Sequence, residues 1–209
     1  MNRVRERREE QRDKLVRAAE AAIARQGLSS LKARDLAREI GVALGAIYNL
    51  VADLDEVILR VGGLTLDRLD LALSAATEGA SALSPEQHLV VIATTYRRFA
   101  AENLHLWRAL FEHRLPEDKP LPEWAVGNQT RLFRHIHAPL SVLMPEAKEV
   151  DRTAFSLTLF GAVHGVVAFG LEGRVVGVPA DDIDGELSRL VRLVCVGLRR
   201  GRSGMNDQP

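Results

Sequence analysis

One cysteine, Cys195, is all the chain has, so no disulfide can close within it, and this usage fits a reducing cytoplasm. Aromatic residues make up only 5% of the 209 residues, and net charge is absent, with 28 Lys/Arg against 28 Asp/Glu. No stretch alternates apolar and polar residues between turn signals, which leaves no candidate hairpin or sheet. The opening MNRVRERREEQRDK has no apolar run, so no secretory signal is expected. Charge is missing altogether from Thr153 to Leu171 (TAFSLTLFGAVHGVVAFGL), close to the length that spans a bilayer. Ser156, Thr158, His164 and three glycines within that stretch, and no aromatic belt at its ends, favour a helix buried on most faces in a soluble oligomer. No membrane partner is expected.

Apolar content of 46% and charged content of 27% describe a globular chain able to bury a core. Its neutrality hides a division. Residues 1–50 hold eleven Lys/Arg and seven Asp/Glu, an excess of +4 that the remainder balances. A basic head on an acidic body is the footprint of a protein whose head alone approaches a polyanion, although a solvated charged helix gives the same count.

Helical periodicity runs through the sequence and predicts an all-α fold of about nine helices. Leu15, Ala18, Ala19, Ala22 and Ile23 mark a first helix stopped by Gly27. Ala33–Ile40 and Leu44–Leu50 are two short helices separated by Gly41-Val42-Ala43. Asp53 and Glu56 form the start of a long helix to about Thr77, and Ser84-Pro85-Glu86-Gln87 starts another to about Asn103. A helix over about Leu104–Arg114, a proline-rich loop from Pro116 to Pro122, and a helix over about Glu123–Val142, bent near Pro139, come next. Asp151 opens the uncharged helix. A turn over Gly173–Pro179 leads to a last helix opened by Asp181 or Asp182 and ending near Arg200. The domains expected are 1–52 as head, 53–202 as body and 203–209 as a disordered tail.

Three residues between Arg34 and Tyr48 define a helix-turn-helix. Ala37 is small where a second helix crosses, Gly41 supplies a positive φ at the end of the first helix, and Ile47 returns the second helix to the core beside Leu36, Ile40 and Val42. The second helix can then lie in a major groove. From Leu15 to Leu59, the runs AAxxxIARQG, RDLAREIGV and GAIYNLVADLDEVI resemble the DNA-binding head of TetR-type transcription regulators. Leu106-Trp107 with Phe111, and His164-Gly165 later, resemble more weakly the C-terminal domain of one branch of that family.

The resemblance implies a repressor that binds a pseudo-palindromic double-stranded DNA operator as a homodimer and responds to a small, largely apolar effector. Its operator-facing positions are Lys32, Arg34, Ala43, Leu44, Gly45, Ala46, Tyr48 and Asn49, with Tyr48 on phosphate. The chain departs from the family's pattern here. Ala43-Leu44 stands where Ser-Lys or Thr-Lys is frequent, and Leu54 where a phosphate-gripping Lys is frequent. Polar tips are few, so grip must come from backbone amides and from Arg3, Arg5, Arg7 and Arg8, either as a minor-groove arm or paired with Glu6, Glu9, Glu10 and Asp13 along an extended helix. Ala43, Leu44 and Ala46 can touch thymine methyls. The alternative is a ligand-binding or interaction module whose degenerate head no longer reads DNA.

The dimer is expected to form through the last two helices, where Gly161, Ala162, Gly165, Val166 and Ala168 meet Leu190, Val191, Val194, Gly197 and Leu198. Helices from 84 to 142 are expected to enclose a pocket. Phe99, Trp107, Phe111, Trp124 and Phe133 would supply aromatic surface there, and His105, Arg108, His113, His137 and His164 would orient a ligand, although each could equally fill the core. His135-Ile136-His137 is no metal pair, because residues two apart on a helix point apart and no further ligands cluster with them. No nucleophile–base pairing or phosphate loop suggests an enzyme, and no metal or cofactor is expected.

Overall fold

The computed structural model describes residues 2–79, 83–172 and 182–205. Among them are ten α-helices and no strand: α1 (Asn2–Gln26), α2 (Ala33–Glu39), α3 (Leu44–Ile47), α4 (Leu54–Thr77), α5 (Pro85–Glu102), α6 (Leu104–Glu112), α7 (Glu123–Leu132), α8 (Arg134–Leu143), α9 (Glu149–Leu171) and α10 (Ile183–Met205), with a 3₁₀ turn at Leu28–Ser30. The all-helical expectation holds. The turn expected over Gly173–Pro179 and the start expected at Asp181 lie outside the described residues. Helix α10 meets no proline and runs on to Met205, past the expected tail start at 203; residues 206–209 are not among those described.

Local signals explain the boundaries. Ser84 and Gln87 cap α5 reciprocally: the Gln87 amide donates to Ser84 Oγ at 3.2 Å and the Ser84 amide to Gln87 Oε1 at 2.8 Å. At α4 the Glu56 amide donates to Asp53 Oδ1 at 2.9 Å, and Glu56 Oε2 reaches back to the Ala52 amide at 2.8 Å. The helix expected over Glu123–Val142 is two helices, and the break falls at Phe133 rather than at Pro139, which sits inside α8. The Phe133 amide bonds to Thr130 O, three residues back, so the α7 ladder tightens and ends before the proline is reached.

The chain divides into two compact units, Met1–Arg68 with Asn103–Gln129 and Leu69–Glu102 with Thr130–Pro209. In the first, Leu15, Val16, Ala19 and Ile23 of α1 pack with Leu36, Ala37, Ile47, Val57 and Val61 around one core. Leu106 and Ala109 of α6 belong to the same core, so α6 lies with the head. In the second unit α5 packs on α10 and α8, and α9 on α8 and α10. Ile183, Leu187, Val191 and Cys195 recur every fourth residue along α10 and are all buried.

Helix α9 covers the uncharged stretch 153–171. It is long and apolar enough to cross a membrane by length and composition, yet only 28% of its most apolar window is buried. One stripe, Ser156, Leu159, Val163, Val167 and Gly170, faces the core of the single chain, and the burial expected on most faces is that of an oligomer. Among the described residues, Leu157, Thr158, Gly161, Ala162 and Phe169 of this helix are exposed.

Candidate nucleic-acid interface and ligand-contacting residues

Ala37 and Ile47 are buried as the helix-turn-helix spacing requires. Gly41 has φ +70°, the Val42 amide donates to Ala37 O at 2.9 Å, and the Gly41 amide to Arg38 O at 3.3 Å. This doubly bonded left-handed stop turns the chain from α2 into α3. Gly27 stops α1 likewise with φ +80°, and a Cβ there would come within 3.4 Å of His105 Nδ1. The recognition helix is short, one α-helical turn extended by 3₁₀-type bonds from the Asn49 and Leu50 amides.

Lys32, Arg34, Ala43, Leu44, Gly45, Tyr48 and Asn49 are exposed, and Ala46 is half-buried. None of the eight enters the head core. Leu44 is 41% and Tyr48 52% exposed, a large apolar and a large aromatic side chain left in water on one short helix. Arg38, also exposed, spends its charge on Asp35 at 2.9 Å. The arginine-rich start is helical from Asn2, and Arg5 Nε lies 3.3 Å from Glu9 Oε1 one turn on. An α-helix is too wide for the minor groove, so the extended-arm expectation gives way to its alternative, the prolonged first helix.

Behind the recognition helix, Asp53 and Asp55 at the head of α4 hold Lys119 of the proline-rich strap at 2.5 and 2.7 Å. The Lys119 hydrogen bond, helped by the Glu56 amide, lowers the Asp53 pKa; the same pairing raises that of Lys119. Two cavities open on this unit. One, of about 330 Å³, lies between α4, α6 and the strap, and includes His113 in its lining. The other, of about 320 Å³, includes Trp124, whose ring lies 5.0 Å from the Arg60 guanidinium.

The ten residues expected around a ligand are divided between the units, and among them only His113 and Trp124 line a cavity. His105, Trp107, Arg108 and Phe111 share α6. Trp107 is buried edge-on to Phe111 at 5.6 Å, His105 and Arg108 are half-buried, and Phe111 is exposed. In the second unit Phe99 is buried on α5, while Phe133 and His164 come together through Phe160, whose ring lies 5.6 and 5.8 Å from theirs. Tyr96 joins this cluster at 5.6 Å from Phe160, and its hydroxyl lies 2.8 Å from His164 Nδ1. Burial lowers the His164 pKa, favouring the neutral ring. Sequence reading missed Phe160 and Tyr96. The available signal was spacing, Phe160 one helical turn before His164 and Tyr96 three residues before Phe99.

His137 lies 3.0 Å from Glu149, while His135 bonds to Asp70 at 2.8 Å. Burial raises the Asp70 pKa, but His135 and Arg134 outweigh it and leave it lowered. On the outer faces of α9 and α10, Leu157 (52%), Phe169 (54%) and Leu193 (65%) are exposed with Gly161, Ala162 and Gly197. Val191, expected on that face, is instead buried in its own unit, because the period of α10 places 183, 187, 191 and 195 inward.

Comparison with known proteins agrees with this architecture. Residues 89–194, just over half of the chain, match the family described as tetracyclin repressor-like, C-terminal domain. The chain therefore belongs to the TetR family of helix-turn-helix transcription regulators. Its fold is similar to a protein of unknown function from Rhodococcus sp. RHA1 (TM-score 0.68, 21% identity, covering 87% of this chain and 93% of that one). It is similar also to a TetR transcriptional regulator from the same organism (0.59, 17%, 88% and 96%) and to a TetR-family regulator from Bordetella parapertussis 12822 (0.59, 20%, 87% and 92%). No curated protein matches the chain significantly.

Proposed function

We propose that the protein is a cytoplasmic, dimeric repressor that binds a pseudo-palindromic operator through α2 and α3 and responds to a small, largely apolar effector. The observation that carries the reading is the outward surface of α3. The Gly41 stop and the buried Ile47 fix the helix, while Leu44, Gly45, Tyr48 and Asn49 face solvent with no role in the core. Tyr48 and Asn49 supply hydrogen bonds to the duplex, Ala43, Leu44 and Ala46 apolar contacts to thymine methyls, and Lys32 and Arg34 charge for phosphate. Two heads require two chains. The exposed apolar faces of α9 and α10 support pairing with the same helices of a second copy, a self-complementary four-helix arrangement that takes Leu157, Phe169 and Leu193 out of water.

The aromatic cluster on Phe160 supports effector binding. Its Tyr96–His164 pair offers a donor and an acceptor beside rings that suit an apolar body. Effector occupancy favours one spacing of the two heads over another. The protein performs no catalysis in this reading.

Electrophoretic shift with the DNA flanking its own gene, across a salt series, tests the proposal. Retarded duplex at low salt, with log K falling linearly against log salt, is the expected result. A bare recognition helix also fits a head that has stopped reading DNA; equal binding of flanking and scrambled duplexes would establish that reading instead.

A further inference from the structure

The first turn of the recognition helix carries no side-chain hydrogen-bonding group. Its cap Ala43 and its residues Leu44 and Gly45 are exposed, Ala46 is half-buried and Ile47 is buried. Leu44 leaves 41% of its surface in water and takes no part in the head core. Gly45 is also unexplained by the fold. It lies inside the helix, its φ is not left-handed, and a Cβ added to it would point into open space. Alanine would suit this helix better, so nothing within the head accounts for the missing side chain. What its absence permits is the close approach of an outside surface to the backbone beside Leu44.

The proposed operator presents that surface as base edges in the major groove. Each pyrimidine offers two features there. Thymine shows its O4 acceptor and a C5 methyl group, and cytosine shows its N4 amino donor and a bare C5. A lysine or asparagine at position 44 would sort bases by the first feature. Leucine has neither donor nor acceptor, so its handle is apolar contact with the methyl group. 5-Methylcytosine carries the same methyl group on the same ring carbon. To Leu44 it is equivalent to thymine, whereas unmodified cytosine and uracil both lack what the side chain touches. Burying one methyl group is worth about fourfold in affinity. Hydrogen-bond readout stays with Tyr48 and Asn49, which follow on the same short segment and are exposed.

We propose that Leu44 reads the C5 methyl group of a pyrimidine and accepts 5-methylcytosine in place of thymine, which makes cytosine-methylated DNA a ligand class for this head. Methylation of a cytosine under Leu44 then strengthens binding instead of blocking it. The inference rests on the operator-binding reading and deepens it at one residue. With two heads on a pseudo-palindrome the effect is squared, to roughly fifteenfold.

Competition for the DNA flanking the protein's own gene, read by electrophoretic shift, tests it. Replacing each thymine singly by uracil should reveal at least one position where loss of the methyl group weakens wild-type binding about fourfold. Leu44→Ala should bind the thymine duplex more weakly and lose that uracil penalty, because side chain and methyl group are coupled. Changing the same T·A pair to C·G should weaken the wild type. Methylating that cytosine at C5 should then recover about fourfold, a gain that Leu44→Ala should not show. Gly45→Ala should melt no lower than the wild type and yet bind every duplex at least about tenfold more weakly. Indifference to uracil at every thymine, 5-methylcytosine bound no better than cytosine, or a methyl gain that survives Leu44→Ala each overturns the inference and leaves operator binding standing. A Gly45→Ala head that binds as well as the wild type removes the close approach and overturns it likewise. An unmodified duplex bound no better than a scrambled one overturns the operator reading and the inference together.

Discussion

Helices α1 and α9 are nearly equal in length, 25 and 23 residues, and opposite in what they show to water. The first eight described side chains of α1 are exposed, and seven of them are charged; burial begins in earnest at Leu15. That stretch needs no partner to be comfortable in solvent, because arginine and glutamate are good helix formers and pair one turn apart, as Arg5 and Glu9 do. Helix α9 exposes Leu157, Ala162 and Phe169 along a stretch, 153–171, that carries no charge of its own, and that surface is unfavourable until something covers it. A charged exposed helix is thus weak evidence for a partner, and an apolar exposed helix is strong evidence.

The largest expected effect tests the apolar side of this contrast. Leu157→Asp, or Leu193→Asp, places an unpaired charge in the proposed dimer face and should cost several kcal/mol of association, seen as monomers in sedimentation where the wild type is dimeric. A monomeric wild type at micromolar concentration would remove the contrast. Next comes Gly41→Ala, which forces a side chain into the left-handed region and should lower stability by about 1–2 kcal/mol in urea titration. Tyr48→Phe should then weaken all duplexes alike by about 1 kcal/mol, one hydrogen bond to phosphate, and a selective loss would make Tyr48 a base reader. The smallest effect belongs to α1. Deleting residues 2–8 should lower the salt slope by about one unit or less, since its arginines have helical carboxylate neighbours; a fall of two to four units would show them on phosphate.

What could be read from the sequence follows from how local each constraint is. Ala37, Gly41 and Ile47 answer to backbone geometry within a dozen residues, and Ser84 with Gln87 to a single turn, so their types announce their roles. The grouping of α6 with the head rests on Leu106 and Ala109 meeting residues some 90 positions away in sequence, which no periodicity encodes. The same holds for Phe160, which gathers Tyr96 and Phe133 from two other segments beside His164 of its own helix. Val191 belongs to the inward column Ile183, Leu187, Val191 and Cys195, and the apolar Leu190, Val194 and Leu198 beside that column blur its edge. The packing of α5 on α10 decides which of these neighbouring apolar columns lies innermost.

Cys195 gives the second unit a built-in clock. The only thiol in the chain is fully buried on α10, in the helix that packs on α5, and burial raises its pKa, so it is both hidden and poorly nucleophilic while that helix is seated. An alkylating reagent can react at an appreciable rate only with molecules in which α10 has swung away. The rate of label uptake therefore counts those openings one molecule at a time, without any probe having to be engineered in.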